Sequence, residues 1–382
     1  MQEIGIIMNG VTGRMGTNQH LIRSILALRD DGGVELPNGE RVLPNPVLVG
    51  RNERKLRALS EEYGVERWTV DPDLETCLDG DEEIYFDSQV TPRRPDALLK
   101  AIDAEKHVYC EKPLAGDLDT ALEVTRKAKR SGVKYGIVQD KLWLPGIVLL
   151  DRLIEQEFFG DILSVRIEFG YWVFTGDVQS PQRPSWNYRA EDGGGIVDDM
   201  FSHWSYVLEN LFGRVESVRC TEKTHIPERV DENGDVYEAT ADDAAYAIME
   251  LEGDIVAQLN SSWAVRVNRD DLLEITVDGT EGSAVAGLRD CKTQHHSNTP
   301  KAVWNPDTPK DHDFTDDWEP VPENQEFENA FKVQWEKFIR YVVADEPFPW
   351  DFAAGARGVQ LTEASYQSSN EQRRIRLDEL EV

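Results

Sequence analysis

The sequence contains few cysteines, and their spacing excludes two classes of protein. Four occur among 382 residues, and no two of them form a C-x-x-C pair. They are Cys77, Cys110, Cys220 and Cys291. Scattered single thiols fit neither a disulfide framework nor a zinc site, so no metal is expected and a reducing cytoplasm is the natural compartment.

Long apolar runs are also missing. No stretch of about 18 apolar residues occurs, so a membrane-spanning helix is not expected. The chain starts Met1-Gln2-Glu3 and passes directly into the apolar run from Ile4 to Met8. This start lacks a basic region and a cleavage site, and therefore does not have the pattern of a signal peptide.

Positive charge is scarce. The chain has 41 Lys and Arg residues against 72 Asp and Glu residues, a formal net charge of -31. Nucleic acids and anionic membranes are bound by basic surfaces, so neither is expected as a partner. The charge says little about the fold, and we interpret it as a solubility adaptation to a salty, halophilic cytoplasm or to an acidic proteome.

The length and a hydrophobic content of 40% predict two domains with real cores. Up to residue 142, short apolar runs alternate with helical patterns. Strands are predicted at 4–8, 47–50, 83–90, 107–110 and 134–138, and helices around 21–28, 53–63, 95–104 and 118–131. Residues 30–46 are expected to form a loop or a small hairpin. The alternation predicts a doubly wound parallel sheet, a dinucleotide-binding Rossmann domain over residues 1–142.

After residue 142 the pattern changes to consecutive strands. A helix is predicted at 146–157, and strands at 162–169, 215–221, 244–251, 255–263, 272–277 and 283–287. Residues 291–326 are predicted to be irregular, and helices near 327–343 and 353–367 close the chain. The sequence thus predicts a C-terminal α/β domain over 143–382 with an open, largely antiparallel sheet.

A glycine-rich turn separates the first strand from the first helix. It consists of Gly10, Val11, Thr12, Gly13, Arg14, Met15 and Gly16. Glycines let a pyrophosphate approach backbone amides at a helix N-terminus, so the turn is a candidate dinucleotide site. The spacing is GxxGxxG instead of GxGxxG, with Val11 at the usual glycine position. Steric demands of a tight turn are the alternative explanation.

The second predicted strand ends in Gly50-Arg51-Asn52, where an NAD site would have an acidic residue for the ribose 2′-hydroxyl. Arg51 could pair with a 2′-phosphate, which favours NADP weakly. Stacking on adenine or simple exposure to solvent are the alternatives, so the choice between NAD and NADP stays open.

Two further segments carry candidate catalytic groups. Glu111-Lys112-Pro113 follows a predicted strand, at the sheet edge where ligands bind in such folds. In the second segment, three glycines from Gly193 precede a helical pattern in which Asp199 and His203 are four residues apart, on one helix face. The glycine run suggests a loop packed against a ligand.

These groups suit the oxidation of a carbinol. His203 is assigned as acid/base, since imidazole titrates near neutrality. Lys112 would stabilise developing alkoxide charge, and Asp199 would orient the hydroxyl or the imidazole. An ordinary surface lysine and a satisfied Asp–His pair are the plain alternatives.

Together these motifs resemble the glucose–fructose oxidoreductase, inositol dehydrogenase and rhizopine-catabolism family (Gfo/Idh/MocA). The resemblance is carried by the glycine turn, Thr91-Pro92, Glu111-Lys112-Pro113 and the run from Gly193 to His203, and it extends to a closing helix and last strand ending at Leu377. It implies a tightly held NAD(P), a sugar, cyclitol or related substrate, and a homodimer or homotetramer formed through the C-terminal sheet. Val11, the segment 138–141 and the loop 30–46 depart from the family pattern.

The expected cofactor contacts combine the glycine turn with residues that follow later strands. They are Gly10, Thr12, Gly13, Arg14, Met15, Gly16, Arg51, Asn52, Thr91, Pro92, Glu111, Lys112 and Gln139. Substrate contacts are expected from aromatic faces, which stack on sugar C–H groups, and from basic groups, which pair with anionic oxygens. They are Lys112, Lys141, Trp172, Arg183, Trp186, Tyr188, Arg189, Asp199, His203, Trp263 and Arg266. The basic members suggest an anionic sugar, and packing within the sheet is the alternative.

Other activities use the same residues. An NAD-dependent glycosidase that oxidises C3 transiently and retains its cofactor would need the same Lys, Asp and His. A non-catalytic dinucleotide sensor is less consistent with an intact catalytic set. Dihydrodipicolinate-type reductases share the glycine turn but are shorter and carry motifs that this sequence lacks.

Overall fold

The structure is a computed structural model that describes residues 2–71, 74–269, 271–300, 307 and 313–381. It divides into two compact units. The first contains residues 1–143, 328–360 and 379–382, and the second contains residues 144–327 and 361–378. The sequence predicts one domain for all residues after 142, whereas the segment 328–360 belongs to the first unit.

The first unit is built on a seven-stranded sheet. Its strands are β1 (Gln2–Asn9), β2 (Val34–Glu35), β3 (Arg41–Gly50), β4 (Trp68–Val70), β5 (Ile84–Asp87), β6 (His107–Cys110) and β7 (Tyr135–Ile137). The order is β2-β3-β1-β5-β6-β7, with β4 also paired to β3. Every pairing except β2 with β3 is parallel. The predicted doubly wound sheet is confirmed.

Helices cover both faces of this sheet, and further helices belong to the second unit. A π-helix (Gly16–Leu26) is followed by α1 (Ala27–Asp30), α2 (Glu53–Tyr63), α3 (Arg94–Asp103), α4 (Leu118–Ser131), α5 (Pro145–Glu155), α6 (Ile196–Leu211), α7 (Ala330–Ala344) and α8 (Phe352–Glu371). Successive side chains of β1 alternate between two cores: Ile6 lies in the core that also contains Trp335 of α7, and Ile7 lies in the core that contains Phe352 of α8. The apolar side of α7 is therefore needed to cover the sheet.

The segment 30–46 forms a hairpin, and β3 begins six residues earlier than the predicted strand. Pro44 and Pro46 pair with Ile4 and Ile6 of β1, between the stretches of β3 that pair with β2 and β4. The prolines lack an N–H group, and this stretch of β3 has neither β2 nor β4 beside it. A strand can thus continue through two prolines that suggested a loop.

The second unit contains a nine-stranded sheet and a small hairpin. Its strands are β8 (Ile162–Phe169), β9 (Val215–Lys223), β10 (Glu228–Val230), β11 (Val236–Glu238), β12 (Ala244–Leu251), β13 (Ile255–Ser262), β14 (Leu273–Gly279), β15 (Gly282–Ala286), β16 (Cys291–His295), β17 (Glu319–Pro320) and β18 (Ile375–Arg376). The order is β17-β16-β15-β14-β8-β13-β12-β9-β18. Only β8 and β13 pair in parallel among these described strands, so the predicted open, largely antiparallel sheet is confirmed.

Several elements were not predicted. The segment 291–326, expected to be irregular, contains β16 and β17, although 301–306 and 308–312 lie outside the described residues. The short strands β4, β10 and β11 were also missed. Strands of two or three residues carry too little alternation to be recognised in a sequence.

Candidate functional site

Several predicted cofactor residues come directly after the last paired residues of neighbouring strands in the first sheet. Asn9 pairs with Asp87, Asp87 with Cys110, and Cys110 with Ile137. The next residues along each strand are Gly10, Ser88, Glu111 and Val138. Because these strands are parallel, the glycine turn and the Glu111-Lys112 segment lie at the same carboxyl edge, where doubly wound sheets bind their ligands.

Two glycines of the turn are required by close packing. A Cβ on Gly10, whose φ is +79°, would lie 2.7 Å from the Ser88 carbonyl carbon, and one on Gly16 would lie 2.7 Å from the Gly10 oxygen. Gly13 differs, because its Cβ would meet only the Gly10 oxygen, at 3.3 Å. Val11 is fully buried, so the family's usual first glycine is replaced here by a core residue.

The turn fits a dinucleotide as the sequence predicts. Gly13 and Arg14 are exposed at the start of the helix, which leaves room for a pyrophosphate at its N-terminal end. Thr12 approaches the end of β3: its methyl group would lie 3.5 Å from a Cβ on Gly50. Arg51, directly after β3, is exposed, whereas the Asn52 side chain caps α2 by accepting a hydrogen bond from the Lys55 amide at 3.1 Å.

A buried polar network that sequence reasoning missed lies next to Thr91 and Pro92. Asp87 is fully buried, and its Oδ1 accepts hydrogen bonds from Arg94 Nε at 3.2 Å and from the Gln89 amide at 3.0 Å. Arg94 also donates to the carbonyl oxygen of Pro113. The network fixes the loop after β5, in which Thr91 is half-buried and Pro92 exposed.

Glu111, expected as a cofactor contact, binds neighbouring protein groups through both carboxylate oxygens. Its side chain is buried, its Oε1 lies 2.8 Å from His20 Nε2, and its Oε2 accepts the Lys112 amide at 3.1 Å. Burial alone would raise the pKa of Glu111, but the hydrogen bond from His20 and the nearby positive charges of Lys112 and Arg94 outweigh it and lower the pKa. The carboxylate is thus occupied on both oxygens.

Lys112 is half-buried and precedes Pro113 through a cis peptide bond. After β7, Gln139 is buried, and its backbone amide donates to the Gln334 side chain at 2.7 Å. The Lys141 ammonium donates to the buried Asp140 carboxylate at 2.7 Å. This partner neutralises Lys141, which weakens the expectation that it binds an anionic sugar.

In the second unit, α6 carries Asp199 and His203 on adjacent turns, as the i,i+4 spacing predicts. Asp199 Oδ2 lies 2.6 Å from Arg183 Nη1. His203 is buried, and its Nδ1 lies 2.6 Å from the Tyr206 hydroxyl. Asp199 is therefore ion-paired with Arg183, and the His203 imidazole contacts the Tyr206 hydroxyl through Nδ1.

Two glycines of the run before α6 pack closely against protein. A Cβ on Gly194 would lie 2.5 Å from the backbone of Asn187, and one on Gly195 would lie 2.6 Å from Asp242 Oδ1. Asp242 Oδ2 accepts the Val197 amide at 2.9 Å. Gly194 and Gly195 therefore allow a close approach that lets Asp242 cap the helix, whereas a Cβ on Gly193 would have no neighbour within 4 Å.

Asp242 belongs to a cluster that sequence reasoning missed. The Tyr366 hydroxyl lies 2.9 Å from Asp242 Oδ1 and 3.0 Å from Asp198 Oδ2. Burial raises the pKa of Asp242, and burial together with both carboxylates raises the pKa of Tyr366. Asp198, Asp242 and Tyr366 are far apart in the sequence, and no spacing pattern indicates that they meet.

The expected substrate residues of the second unit fall into two groups. Tyr188 and Trp263 are fully enclosed, and the Tyr188 hydroxyl donates to the Phe174 carbonyl at 2.8 Å, which corrects their expected role as contact residues. Trp172 and Trp186 each expose 49% of their surface. Large aromatic residues often fill a core, and Tyr188 and Trp263 do so here.

Two of the three basic candidates of this unit stack on aromatic rings. The Arg183 guanidinium lies 4.7 Å from the Trp263 ring centroid, in addition to its ion pair with Asp199. Arg189 lies 4.5 Å from the Tyr237 ring centroid. Arg266 is exposed in the loop after β13. Arg183 thus supports Asp199 from a stacked position.

One group of metal-ligand side chains comes together among the described residues. Glu281, His295 and His296 have donor atoms within 4.8 Å of one another. The Glu281 and His296 side chains are exposed, and Glu281 Oε2 lies 3.9 Å from His295 Nε2. The group belongs to the edge of the second sheet and not to the residues predicted for hydride transfer.

Comparisons with known proteins agree with the fold and with a nicotinamide cofactor. Residues 6–139 match a family model described as "Oxidoreductase family, NAD-binding Rossmann fold", and residues 147–285 match the "GFO/IDH/MocA C-terminal domain". A D-xylose dehydrogenase of Paenarthrobacter nicotinovorans is 53% identical over 99% of this chain and 98% of its own length. A levoglucosan dehydrogenase of Pseudarthrobacter phenanthrenivorans is 24% identical over 63% of this chain and 64% of its own length.

Among solved structures, a levoglucosan dehydrogenase in complex with NADH and L-sorbose superimposes with a TM-score of 0.81, at 20% identity and complete coverage of both chains. This likeness concerns the fold. Fold, glycine turn and family matches define a nicotinamide-dependent oxidoreductase. The chain belongs to the Gfo/Idh/MocA family, as its motifs predicted.

No helix among the described residues is long and apolar enough to cross a membrane.

Proposed function

We propose that the protein is a sugar dehydrogenase that oxidises D-xylose, or an aldopentose of the same shape, with NAD(P)+. The observation that carries the proposal is the 53% identity to a D-xylose dehydrogenase over nearly the whole of both chains. These comparisons support a net dehydrogenase over the redox-assisted glycosidase.

The basic candidates favour a neutral sugar over an anionic one. Arg183 and Lys141 each have a carboxylate partner, at 2.6 Å and 2.7 Å. Neutralised cations offer little net charge to a sulfonate or phosphate. The exposed rings of Trp172 and Trp186 are suited to stacking on the C–H face of a pyranose.

The catalytic groups we propose are Lys112, Asp199 and His203. NAD(P)+, held at the glycine turn of the first unit, would supply the hydride acceptor for C1 of the sugar. His203 would take the hydroxyl proton, with the Tyr206 hydroxyl 2.6 Å from its Nδ1. Lys112 would stabilise the developing alkoxide, and Asp199, held by Arg183, would orient the hydroxyl. The products are the sugar lactone, NAD(P)H and one proton.

Each of the two units has its own proposed role. We infer that the glycine turn, Arg51, Thr91, Pro92 and Gln139 face the cofactor in the first unit. The second unit would hold the sugar and, through the outer face of its sheet, a second copy of the chain. Tyr246, Ile248 and Val256 are exposed on β12 and β13, at 40%, 50% and 43%. The four cysteines, all free, are consistent with a cytoplasmic setting.

The test follows reduced nicotinamide and lactone together, with NAD+ or NADP+ and a panel of pentoses, hexoses, sugar acids and glycosides. D-xylose should give stoichiometric NAD(P)H and the highest kcat/KM. Release of an aglycone with no net reduction would overturn the proposal, as would a strong preference for a sugar acid.

Substitution tests the catalytic assignment. Lys112→Met and His203→Asn should each lower kcat by about 100-fold or more, with little change in melting temperature. Lys127→Met, a surface lysine on α4, is the matched control. Activity within a few-fold of the parent in either variant would remove that residue from the mechanism.

The quaternary assignment has its own measurement. Light scattering after size-exclusion should give two or four times the chain mass of 43.4 kDa. Ile248→Glu should shift this mass towards that of a single chain. A parent protein that is monomeric at micromolar concentration would overturn the assignment.

A further inference from the structure

A buried histidine lies behind the candidate catalytic lysine. His20, on the π-helix, has no exposed surface. Its ring is enclosed by aromatic side chains, with centroids 4.3 Å from Phe86 and 5.1 Å from Phe331. Histidine is polar on both ring nitrogens, so an enclosed position requires a partner at each of them.

Both partners are present, and together they determine the tautomer. The Trp335 indole Nε1–H lies 3.0 Å from His20 Nδ1, and indole can only donate. Nδ1 must therefore be the acceptor, and the ring proton must reside on Nε2. Nε2 lies 2.8 Å from Glu111 Oε1, so Glu111 must accept, which an ionised carboxylate does.

The chain of hydrogen bonds ends on the backbone of Lys112. Glu111 Oε2 accepts the Lys112 amide at 3.1 Å, and the Glu111 amide donates to the Asp87 carbonyl at 2.9 Å. On the other side, Arg94 donates to the Pro113 carbonyl. The residues on either side of Lys112 are thus held by buried partners, Glu111 by His20 and the Asp87 carbonyl and Pro113 by Arg94.

We propose that Trp335, His20 and Glu111 form a positioning chain that fixes the backbone of Lys112 at the end of β6, so that its ammonium meets the reacting sugar oxygen. The proposal rests on the catalytic role proposed for Lys112. A displacement of a catalytic group by about 1 Å can cost 100-fold in rate, so the residues that hold Lys112 are expected to influence kcat.

The alternative is a polar cluster that stabilises the core only. The two differ in what a substitution changes. Glu111→Gln keeps the shape but has one acceptor oxygen for two N–H donors, so it cannot hold His20 and Lys112 together. Under the proposal, kcat falls by roughly 10- to 100-fold, while the dissociation constant of the cofactor changes little. A purely structural role would lower the melting temperature and leave kcat of the folded protein unchanged.

The conservative variant supplies a rescue. His20→Gln carries an amide that can still donate towards Glu111 and accept from Trp335, and it should retain more kcat than His20→Leu. Thr125→Val is the matched control, because Thr125 is a buried hydrogen-bonding residue on α4 that donates to Ala121 O at 2.7 Å. It should lower stability and leave kcat intact.

A double-mutant cycle with Lys112→Met separates this proposal from the proposed function. If Lys112→Met alone leaves kcat unchanged, the role of Lys112 is wrong. If Lys112→Met leaves a low residual rate and Glu111→Gln reduces that rate by the same further factor, Glu111 acts independently and the positioning chain is overturned. Loss of the Glu111→Gln effect in the Lys112→Met background supports it.

A readout independent of activity tests the hydrogen-bond chain itself. In the intact protein at neutral pH, the ¹⁵N chemical shifts of His20 should report a protonated Nε2 and an unprotonated Nδ1. Trp335→Phe removes the donor at Nδ1 and should allow a mixture of tautomers. A protonated Nδ1 in the parent protein would overturn the assignment, including where Glu111→Gln fails to fold.

Discussion

Arg51 is the single residue at which the choice of cofactor is expected to be made. It directly follows β3 and is exposed, at the position where an acidic side chain would bind a ribose 2′-hydroxyl and repel a 2′-phosphate. An exposed guanidinium there can form a charge-assisted pair with the phosphate. We therefore expect NADP+ to bind at least as tightly as NAD+.

Replacement of this arginine gives the measurable difference. Arg51→Ala should weaken NADP+ binding by about tenfold, which corresponds to one charged hydrogen bond, and change NAD+ binding by less than a few-fold. Fluorescence titration with both cofactors measures the ratio, and Arg57→Ala on the exposed face of α2 is the control. Equal weakening of both cofactors would mean that Arg51 stacks on the adenine, which both share.

The sequence predicted the candidate catalytic residues better than the buried residues that hold them in place. Lys112, Asp199 and His203 could be selected because their types and spacing suit a known chemistry. His20, Trp335, Asp242 and Tyr366 could not, since their partners are up to 315 positions away in the chain. A histidine on the same helix as the apolar Leu21 and Ile25 was the one available signal. Buried polar pairing depends on tertiary contacts that one sequence does not reveal.

At the scale of the element, the glycines of the turn have different roles, one in packing and one in the proposed cofactor binding. Gly16 has no room for a Cβ, whereas Gly13 has only one contact, at 3.3 Å. Gly16→Ala should destabilise the protein by about 1 to 3 kcal/mol, the usual result of overpacking. Gly13→Ala should leave the melting temperature nearly unchanged and weaken cofactor binding. Thermal unfolding and cofactor titration of both variants test this, and a Gly13→Ala protein with normal affinity would contradict the proposed pyrophosphate contact.

The start of α6 is predicted to depend on pH. The Tyr366 hydroxyl has one proton but two carboxylate neighbours, so a proton on Asp242 satisfies all three groups. The pKa of Asp242 is raised by burial, hence its contribution to folding is complete below the usual carboxyl pKa and is lost as pH rises through the raised value. A carboxyl pKa that is higher by one in the folded state than in the unfolded state corresponds to about 1.4 kcal/mol of stability.

Asp242→Asn imitates the protonated form and should remove this dependence. Its stability relative to the parent should increase from pH 4 to pH 8, measured as the free energy of unfolding in urea at each pH. Glu238→Gln, an exposed carboxylate of the same unit, should show no such trend. A constant difference across the pH range would show that Asp242 is ionised throughout.

Most long elements could be predicted, because their patterns are local. The helices at Glu53–Tyr63 and Leu118–Ser131 and the strands at Ile162–Phe169 and Ala244–Leu251 have the predicted limits. The place of α7 in the first unit could not be predicted, since its apolar side fits either core equally well in sequence terms. Strand β3 was shortened in the prediction because prolines usually interrupt strands.

At the scale of the whole molecule, the net charge of -31 is the dominant property that the fold does not explain. Mutual repulsion of 72 acidic groups opposes a compact state, and only 41 basic groups offset it. Dissolved salt shortens the range of this repulsion, from about 10 Å at 0.1 M to about 3 Å at 1 M. The folded protein should therefore gain stability as salt is added.

We expect the melting temperature to rise between 0.05 M and 1 M NaCl, at roughly 2 to 4 °C for each kcal/mol of repulsion removed. Scanning calorimetry in NaCl and KCl measures the rise, which should be similar in both salts and should level off once the charges are screened. If the salt acted by preferential exclusion from the protein surface, as sulfate does, the melting temperature would instead continue to rise with concentration. A melting temperature that is flat or falls with NaCl would mean that the acidic surface is already compensated by local ion pairs.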